Sequence, residues 1–176
     1  MKIDIAVILI SIISSAFFSG MEIAFVSANK LHIELEKKRK GFLPDILGKL
    51  TSNSSKFITT MLVGNNIALV IYSYFMGKVI VGYLGINSIL IQTIISTILI
   101  LITAEFLPKA IFRVYANETL KIFALPAYIF YLLLYFFSFF INTISDFFLK
   151  LLFRTDKDYQ QTEFSKEELG DYISEQ

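Results

Sequence analysis

The sequence predicts an all-α membrane protein with three transmembrane helices, two short cytoplasmic interfacial helices and a juxtamembrane belt helix. Of its 176 residues, 55% are hydrophobic, whereas a soluble domain is about 45–50% apolar. Several uncharged runs exceed about 18 residues, the length that a helix needs to cross a bilayer. The chain contains no cysteine, which excludes disulfides, thiolate metal sites and a cysteine nucleophile. A single domain is expected from this length.

The first span is expected at about residues 3–28. A cleaved signal peptide is the alternative, with Ser14-Ser15-Ala16 as a possible cleavage site. The flanks argue against it, because only Lys2 precedes the run, basic residues follow it, and the run continues to Val26.

Two short amphipathic helices should follow the first span. Asn29 is a suitable N-cap for a charged helix over residues 30–40, which Gly41 would end. The stretch F-L-P at residues 42–44 begins a second helix with an apolar side. We interpret His32, the single histidine, as a solvated surface residue.

The second span is expected at about residues 57–81 and the third at about residues 88–112. Ser54 or Ser55 can cap the second span, and the short turn of residues 82–87 carries no charge. Pro108 lies near the end of the third span.

The distribution of basic residues predicts the orientation of the spans. Seven lie between the first two spans, none lies in the turn between the second and third, and more follow the third span: Lys30, Lys37, Lys38, Arg39, Lys40, Lys49 and Lys56, then Lys109, Arg113 and Lys121. Because basic loops stay in the cytoplasm, the N-terminus should be outside and the C-terminus cytoplasmic.

Residues 122–153 allow two interpretations. Hydropathy alone favours a fourth span. Basic residues at both ends, Lys121 and then Lys150, fit a segment that starts and finishes on the cytoplasmic side. Pro126 should break the helix early, and the many aromatic residues fit a belt at headgroup level. We favour a belt or re-entrant helix. The polar residues 155–176, with a capping box S-K-E-E at residues 165–168, should form a cytoplasmic linker.

Polar residues interrupt all three spans at a similar depth. Ser19, Asn65 and Glu105 lie about eight to eleven residues from the nearest basic flank, or roughly 12–17 Å along a helix. Gly20 adjoins the first, Gly64 and Asn66 flank the second, and Glu22 lies one turn nearer the cytoplasm. Three helices therefore place oxygen-bearing residues in one layer.

A hydroxyl, an amide carbonyl and a carboxylate are hard ligands that suit Mg²⁺, Ca²⁺ or Na⁺, and they do not suit zinc or copper. Gly20 could add a backbone carbonyl if the helix opens there, and Thr60 is a weaker candidate ligand.

Helix packing is the alternative explanation for several of these residues. Small residues and asparagines join membrane helices, which would account for Gly20, Gly64 and Asn66 taken singly, and for Ser19 as well. Glu105 has the spacing of an ion pair with Lys109. Glu22 suits an entrance or structural ion-pair residue.

Three motifs resemble the transmembrane domain of the CNNM/CorC family, the cyclin M and bacterial magnesium and cobalt efflux proteins. The stretch F-S-G-M-E-I-A at residues 18–24 resembles F-S-G-x-E-x-A, L-V-G-N-N at 62–66 resembles the family's G-N motif, and E-F-L-P-K at 105–109 resembles E-x-x-P-K. Two positions depart from the family: Met21, where many bacterial members carry serine, and Ala104, where glycine usually precedes the acid.

The resemblance implies a homodimer in the inner membrane of a bacterium, with a dehydrated Mg²⁺ bound near the three motifs. It also implies three spans and a belt helix, no enzymatic activity and no nucleic-acid partner. Family members continue into paired CBS domains that bind ATP. We expect such a pair beyond residue 176, so that ATP would act only through domains that this chain does not contain.

The function predicted from these observations is Mg²⁺ efflux coupled to a Na⁺ gradient. Moving a divalent cation outward against 100 mV costs about 4.6 kcal/mol, and the chain contains no phosphate-binding loop motif. Selectivity against Co²⁺, Ca²⁺ or Na⁺ stays open. The alternative is a membrane scaffold that regulates another transporter or a surface-assembly machinery. An intramembrane enzyme is disfavoured, because no span contains a histidine and Ser19 has no obvious base.

Overall fold

The computed structural model describes residues 2–153, and within that range the secondary structure is helical, without a strand. The helices are α1 Lys2–Ser27, α2 Lys30–Lys37, α3 Phe42–Thr51, α4 Ser54–Leu84, α5 Ile89–Val114, α6 Ala116–Ile122, α7 Ala124–Leu133 and α8 Tyr135–Phe153. The predicted linker of residues 155–176 and its capping box lie outside the described residues.

Three of these helices, α1, α4 and α5, are long and apolar enough to cross a membrane, which confirms the three predicted spans. Large apolar side chains such as Leu9, Val70 and Ile98 are exposed on them. In an aqueous protein such surfaces would be costly, whereas lipid tails solvate them at no cost. These helices therefore contact the bilayer.

Helix α1 packs along α4 and against the second half of α5. Two glycines set the spacing of these contacts. A Cβ at Gly64 would lie 2.5 Å from Cε1 of the Phe18 ring, and one at Gly20 would lie 2.6 Å from Cδ1 of the Phe112 ring. Only a residue without a side chain leaves room for either ring.

The first interfacial helix, α2, begins as predicted, because the Asn29 side chain accepts a hydrogen bond from the His32 backbone N–H at 3.2 Å. It ends at Lys37, earlier than the predicted residue 40. Gly41 does not end α2 but precedes α3 as its N-cap, with φ of 153°. The predicted apolar side of α3 is confirmed by the burial of Ile46, Leu47 and Leu50.

Helix α4 is longer than the predicted second span. Its N-cap is Asn53, rather than Ser54 or Ser55, and Asn53 Oδ1 accepts from the Lys56 backbone N–H at 2.9 Å. An amide carbonyl at this position satisfies one of the free N–H groups of the first turn. The helix ends at Gly85, whose φ of 63° is left-handed.

Helix α5 contains a feature that the sequence did not predict, a π-helical turn over Leu101–Phe106. Pro108 follows it directly and has no backbone N–H. Neither the i−4 carbonyl, Ala104, nor the i−5 carbonyl, Thr103, can therefore receive a hydrogen bond from residue 108.

Residues 124–153 do not form one straight helix. Helices α7 and α8 meet at an angle of 71°, and the break lies at Leu134. An early break of the kind predicted near Pro126 also occurs, at Phe123 between α6 and α7, and Pro126 occupies the first turn of α7, where a missing N–H costs no intrahelical hydrogen bond.

Along α7 and α8, successive residues lie beside positions of α4 that are progressively nearer its N-terminal end. The Phe130 ring lies 4.8 Å from the Phe18 ring, beside Gly64. Ser138 then contacts the Thr60 hydroxyl at 2.8 Å, and Asn142 Oδ1 accepts from the Thr59 hydroxyl at 2.8 Å. The segment thus lies near Gly64 at Phe130 and beside Thr59 at Asn142.

The chain divides into two compact units, Met1–Asn142 and Thr143–Gln176. The first contains the spans, α2, α3, α6, α7 and the start of α8. Of the second, the described residues comprise the remainder of α8, in which Phe147 and Phe148 are exposed.

Candidate cation site

Helix α1 carries serines at one-turn intervals, Ser11, Ser15 and Ser19, and all three are buried. Residues four apart lie on one face of an α-helix, so these hydroxyls form a polar stripe on a mainly apolar helix. Ser15 and Ser19 are both 0% exposed, which places the two hydroxyls inside the packed helices.

The middle serine contacts the asparagine of α4. Ser15 Oγ donates to Asn65 Oδ1 at 2.6 Å, and both groups are buried. The sequence did not single out Ser15, although its spacing of four residues from Ser19 was the available signal. The hydrogen bond fixes the Asn65 amide so that its carbonyl oxygen faces α1.

The Ser19 hydroxyl is buried and has no hydrogen-bond partner within residues 2–153. Other hydroxyls on the spans bond to a backbone carbonyl one turn earlier, as Ser73, Thr93 and Thr103 do. Leaving a buried hydroxyl unpaired costs about 1–3 kcal/mol. An unpaired oxygen one turn from the Ser15–Asn65 pair fits a site in which a bound ligand supplies the missing partner.

Glu105 lies within the π-helical turn of α5, in the segment that packs against α1, and its side chain is partly buried. The predicted ion pair with Lys109 does not form; among the described residues Glu105 has neither an ion pair nor a hydrogen bond. Single π turns in α-helices are frequent at functional sites. The turn gives α5 a locally irregular backbone where it packs against α1, with Ala104 as its buried residue.

For four other predicted residues, the structure shows packing or exposure. Helix α1 continues unbroken through Gly20, so the helix opening that would free its carbonyl does not occur in this structure. Gly20 and Gly64 admit phenylalanine rings, which favours the packing explanation for both. Asn66 is exposed, on a different side of α4 from the buried Asn65. Pro108 is buried at the end of the π turn.

Thr60 is engaged elsewhere. Its hydroxyl donates to the Lys56 carbonyl at 2.7 Å. Since a hydroxyl has one proton, Ser138 donates to Thr60 at 2.8 Å. Thr60 is therefore explained as an attachment point for α8, and this use competes with its predicted role as a ligand.

The charged residues near the site are sparse. Within residues 2–153, no group of three His, Cys, Asp or Glu side chains lies close enough to hold a metal ion. Glu22 is partly buried one turn below Ser19, and no ion pair to it forms among the described residues.

Comparison with families of known proteins gives one match for the chain. Residues 5–176 match the cyclin M transmembrane N-terminal domain, CNNM, which covers nearly the whole chain and all three motifs. A comparison with curated proteins finds no match.

Proposed function

The chain belongs to the CNNM family of membrane cation-transport domains, and we propose that it exports Mg²⁺, as a homodimer in the inner membrane of a bacterium. The proposed driving force is a Na⁺ gradient. In this proposal a dehydrated cation binds between α1, α4 and α5 during transport.

The observation that carries the proposal is the unpaired Ser19 hydroxyl beside the Ser15–Asn65 pair. In a helix packed this closely, a buried hydroxyl without a partner is a cost that a bound cation would remove. The Ser15 hydroxyl and the Asn65 carbonyl nearby are oxygen ligands, a type that suits Mg²⁺, which prefers hard ligands.

The proposed ligands are Ser19 Oγ, Asn65 Oδ1 and the Glu105 carboxylate. These provide three of the six positions that Mg²⁺ fills in octahedral geometry; backbone carbonyls would fill the others. One carboxylate leaves a net positive charge on the occupied site. This residual charge favours release and suits a transported ion better than a permanently bound one.

Export needs an energy source outside these residues. Moving a divalent cation outward against 100 mV costs about 4.6 kcal/mol, and the chain has no phosphate-binding loop motif. Inward movement of Na⁺ down its gradient is the simplest source for a chain of this kind.

A non-transporting scaffold is the second candidate. The close packing of Phe18 on Gly64 and of Phe112 on Gly20 would serve a rigid membrane anchor equally well. The Ser15–Asn65 hydrogen bond would then act only as a link between α1 and α4.

The test is Asn65→Ala, with Asn66→Ala as the matched control, because Asn66 is adjacent, chemically identical and exposed. Mg²⁺ affinity measured by calorimetry should fall at least about tenfold in the first variant and stay unchanged in the second. Unchanged affinity in Asn65→Ala would refute the assignment of the ligands.

The same proteins in liposomes separate the two candidates. With a Mg²⁺-sensitive dye, the unmodified chain should move Mg²⁺ faster when Na⁺ is present on the opposite side, and Asn65→Ala should not. Absence of flux from the unmodified chain, with Mg²⁺ binding intact, would favour the scaffold.

A further inference from the structure

We propose that the chain binds an anionic phospholipid of the cytoplasmic leaflet in a basic cavity between α2, α3 and α6. This cavity, the α2–α3 basic cavity, is defined by Glu36, Arg39, Lys40, Leu43, Leu47 and Lys121. The site is separate from the proposed cation site. Its assignment to the cytoplasmic leaflet rests on the predicted orientation, in which the loop between α1 and α4 is cytoplasmic.

The charge of the cavity is carried by three cations around one buried carboxylate. Glu36, whose side chain is 10% exposed, pairs with Arg39 at 2.8 Å and with Lys121 at 3.3 Å. Lys40 lines the same cavity, and within residues 2–153 it forms no ion pair. One carboxylate against three cations leaves an excess of two positive charges.

Glu36 holds Arg39 and Lys121 in place, but it does not use all of their N–H donors. A guanidinium has five N–H donors and an ammonium has three, so Arg39 and Lys121 retain donors after pairing with one carboxylate. Both side chains are substantially exposed, at 67% and 48%. A phosphate group entering the cavity would meet donors from the turn after α2 and from α6, already fixed by Glu36, together with the free ammonium of Lys40.

The rest of the lining is apolar, which distinguishes a lipid from a free phosphate. The cavity has a volume of about 180 Å³, and Leu43, Pro44, Leu47 and Ala124 form its other wall. A soluble phosphate ion would make no favourable contact with this apolar wall, whereas the glycerol and the first methylenes of a phospholipid would pack against it. Basic pockets on the cytoplasmic side of membrane helices commonly bind anionic headgroups.

The neighbouring surface fits insertion into the headgroup region. Leu31, Leu35 and Phe42 are 62%, 55% and 69% exposed on α2 and α3. Two other lysines of the loop form cation–π contacts: Lys49 Nζ lies 5.6 Å from the Tyr128 ring centre, and Lys56 Nζ lies 3.4 Å from that of Tyr135. Arg39, Lys40 and Lys121, by contrast, line the α2–α3 basic cavity.

The experiment is a lipid titration of the purified chain in detergent, followed by native mass spectrometry. Phosphatidylglycerol should bind as a discrete adduct, and phosphatidylcholine should bind more weakly. Lys40→Gln should weaken phosphatidylglycerol binding about fivefold, the effect of one surface charge. Lys38→Gln is the matched control, because Lys38 is exposed on the same helix end and does not line the cavity.

The result that would overturn the proposal is an equal loss in Lys40→Gln and Lys38→Gln, which would mean general attraction to a basic loop. Since Lys40 forms no ion pair in the described part of the chain, its variant should fold, and circular dichroism checks this directly.

A second pair of variants separates the lipid from a free phosphate. Leu43→Ser, in the apolar wall, should weaken phosphatidylglycerol binding, and Leu35→Ser, on the exposed surface, should have a smaller effect. Displacement of the lipid by millimolar sn-glycerol 3-phosphate, with no effect of Leu43→Ser, would identify a site for soluble phosphates and refute the lipid assignment.

Discussion

At the scale of single residues, the polar layer depends on Ser15 as much as on the residues that the sequence motifs identify. The burial of Ser19 and Asn65 could be predicted, because hydroxyl and amide groups inside a span must face other helices. Which groups pair could not, since the pairing depends on the rotation of α1 about its axis. That rotation is set by tertiary contacts such as Phe18 on Gly64.

Replacing Ser15 should therefore weaken Mg²⁺ binding without removing a ligand. In Ser15→Ala the Asn65 carbonyl loses the 2.6 Å hydrogen bond that orients it. A hydrogen bond contributes about 0.5–1.5 kcal/mol, so Mg²⁺ affinity measured by calorimetry should fall about two- to tenfold.

Two controls accompany Ser15→Ala. Ser14→Ala removes a neighbouring hydroxyl that lines an apolar cavity instead and should leave the affinity unchanged. Ser15→Thr keeps a hydroxyl and should restore most of it. A loss of affinity in Ser15→Thr as large as in Ser15→Ala would show that packing, and not orientation of the amide, is the role of this residue.

At the scale of helices, the sequence predicts the existence of each element better than its ends or irregularities. Hydropathy and basic flanks located α1, α4 and α5, and turn residues located α2 and α3. The π turn of α5 carries no compositional signal, although Pro108 indicated that a hydrogen bond would be missing nearby. The bend at Leu134 also escaped prediction, because contacts of Phe130 and Ser138 with other helices determine it.

The packing of α1 on α4 should fail when Gly64 acquires a side chain. In Gly64→Ala the new Cβ would lie 2.5 Å from the Phe18 ring, so the ring or the helix must move. Overpacking of this kind costs about 1–3 kcal/mol, and the midpoint of thermal unfolding in detergent, followed by circular dichroism, should fall.

Gly82→Ala is the matched control, because nothing lies within 4 Å of a Cβ at that position. It should leave the midpoint unchanged or raise it, since alanine favours a helix. Combining Gly64→Ala with Phe18→Leu should recover part of the loss. If Gly64→Ala unfolds at the same temperature as the unmodified chain, the close approach of α1 and α4 does not depend on this glycine.

At the scale of the whole molecule, the number of crossings depends on the course of residues 122–153. Hydropathy identified α1, α4 and α5, which meet the length and composition of a span. It could not decide whether residues 122–153 add a fourth crossing, because a re-entrant segment and a crossing have the same composition. The contacts of Ser138 and Asn142 with the N-terminal end of α4 favour a return to the side of entry.

The absence of cysteine makes the sidedness of the chain directly measurable. Single variants Asn87→Cys, Lys38→Cys and Ser145→Cys can each be treated, in intact cells, with a maleimide that does not cross membranes. The predicted orientation places residue 87 outside and residue 38 inside. Asn87→Cys should therefore react at once and Lys38→Cys only after permeabilisation.

Ser145→Cys decides between the two interpretations of residues 122–153. If the segment enters and returns on the cytoplasmic side, this variant should behave like Lys38→Cys; if it crosses, it should behave like Asn87→Cys. The outcome also bears on the cation site. A return places α8, held to Thr60 by Ser138, beside the N-terminal end of α4, which is cytoplasmic in the predicted orientation, and there it would restrict access to Asn65 from that side. Reaction of Ser145→Cys in intact cells would remove this role from α8.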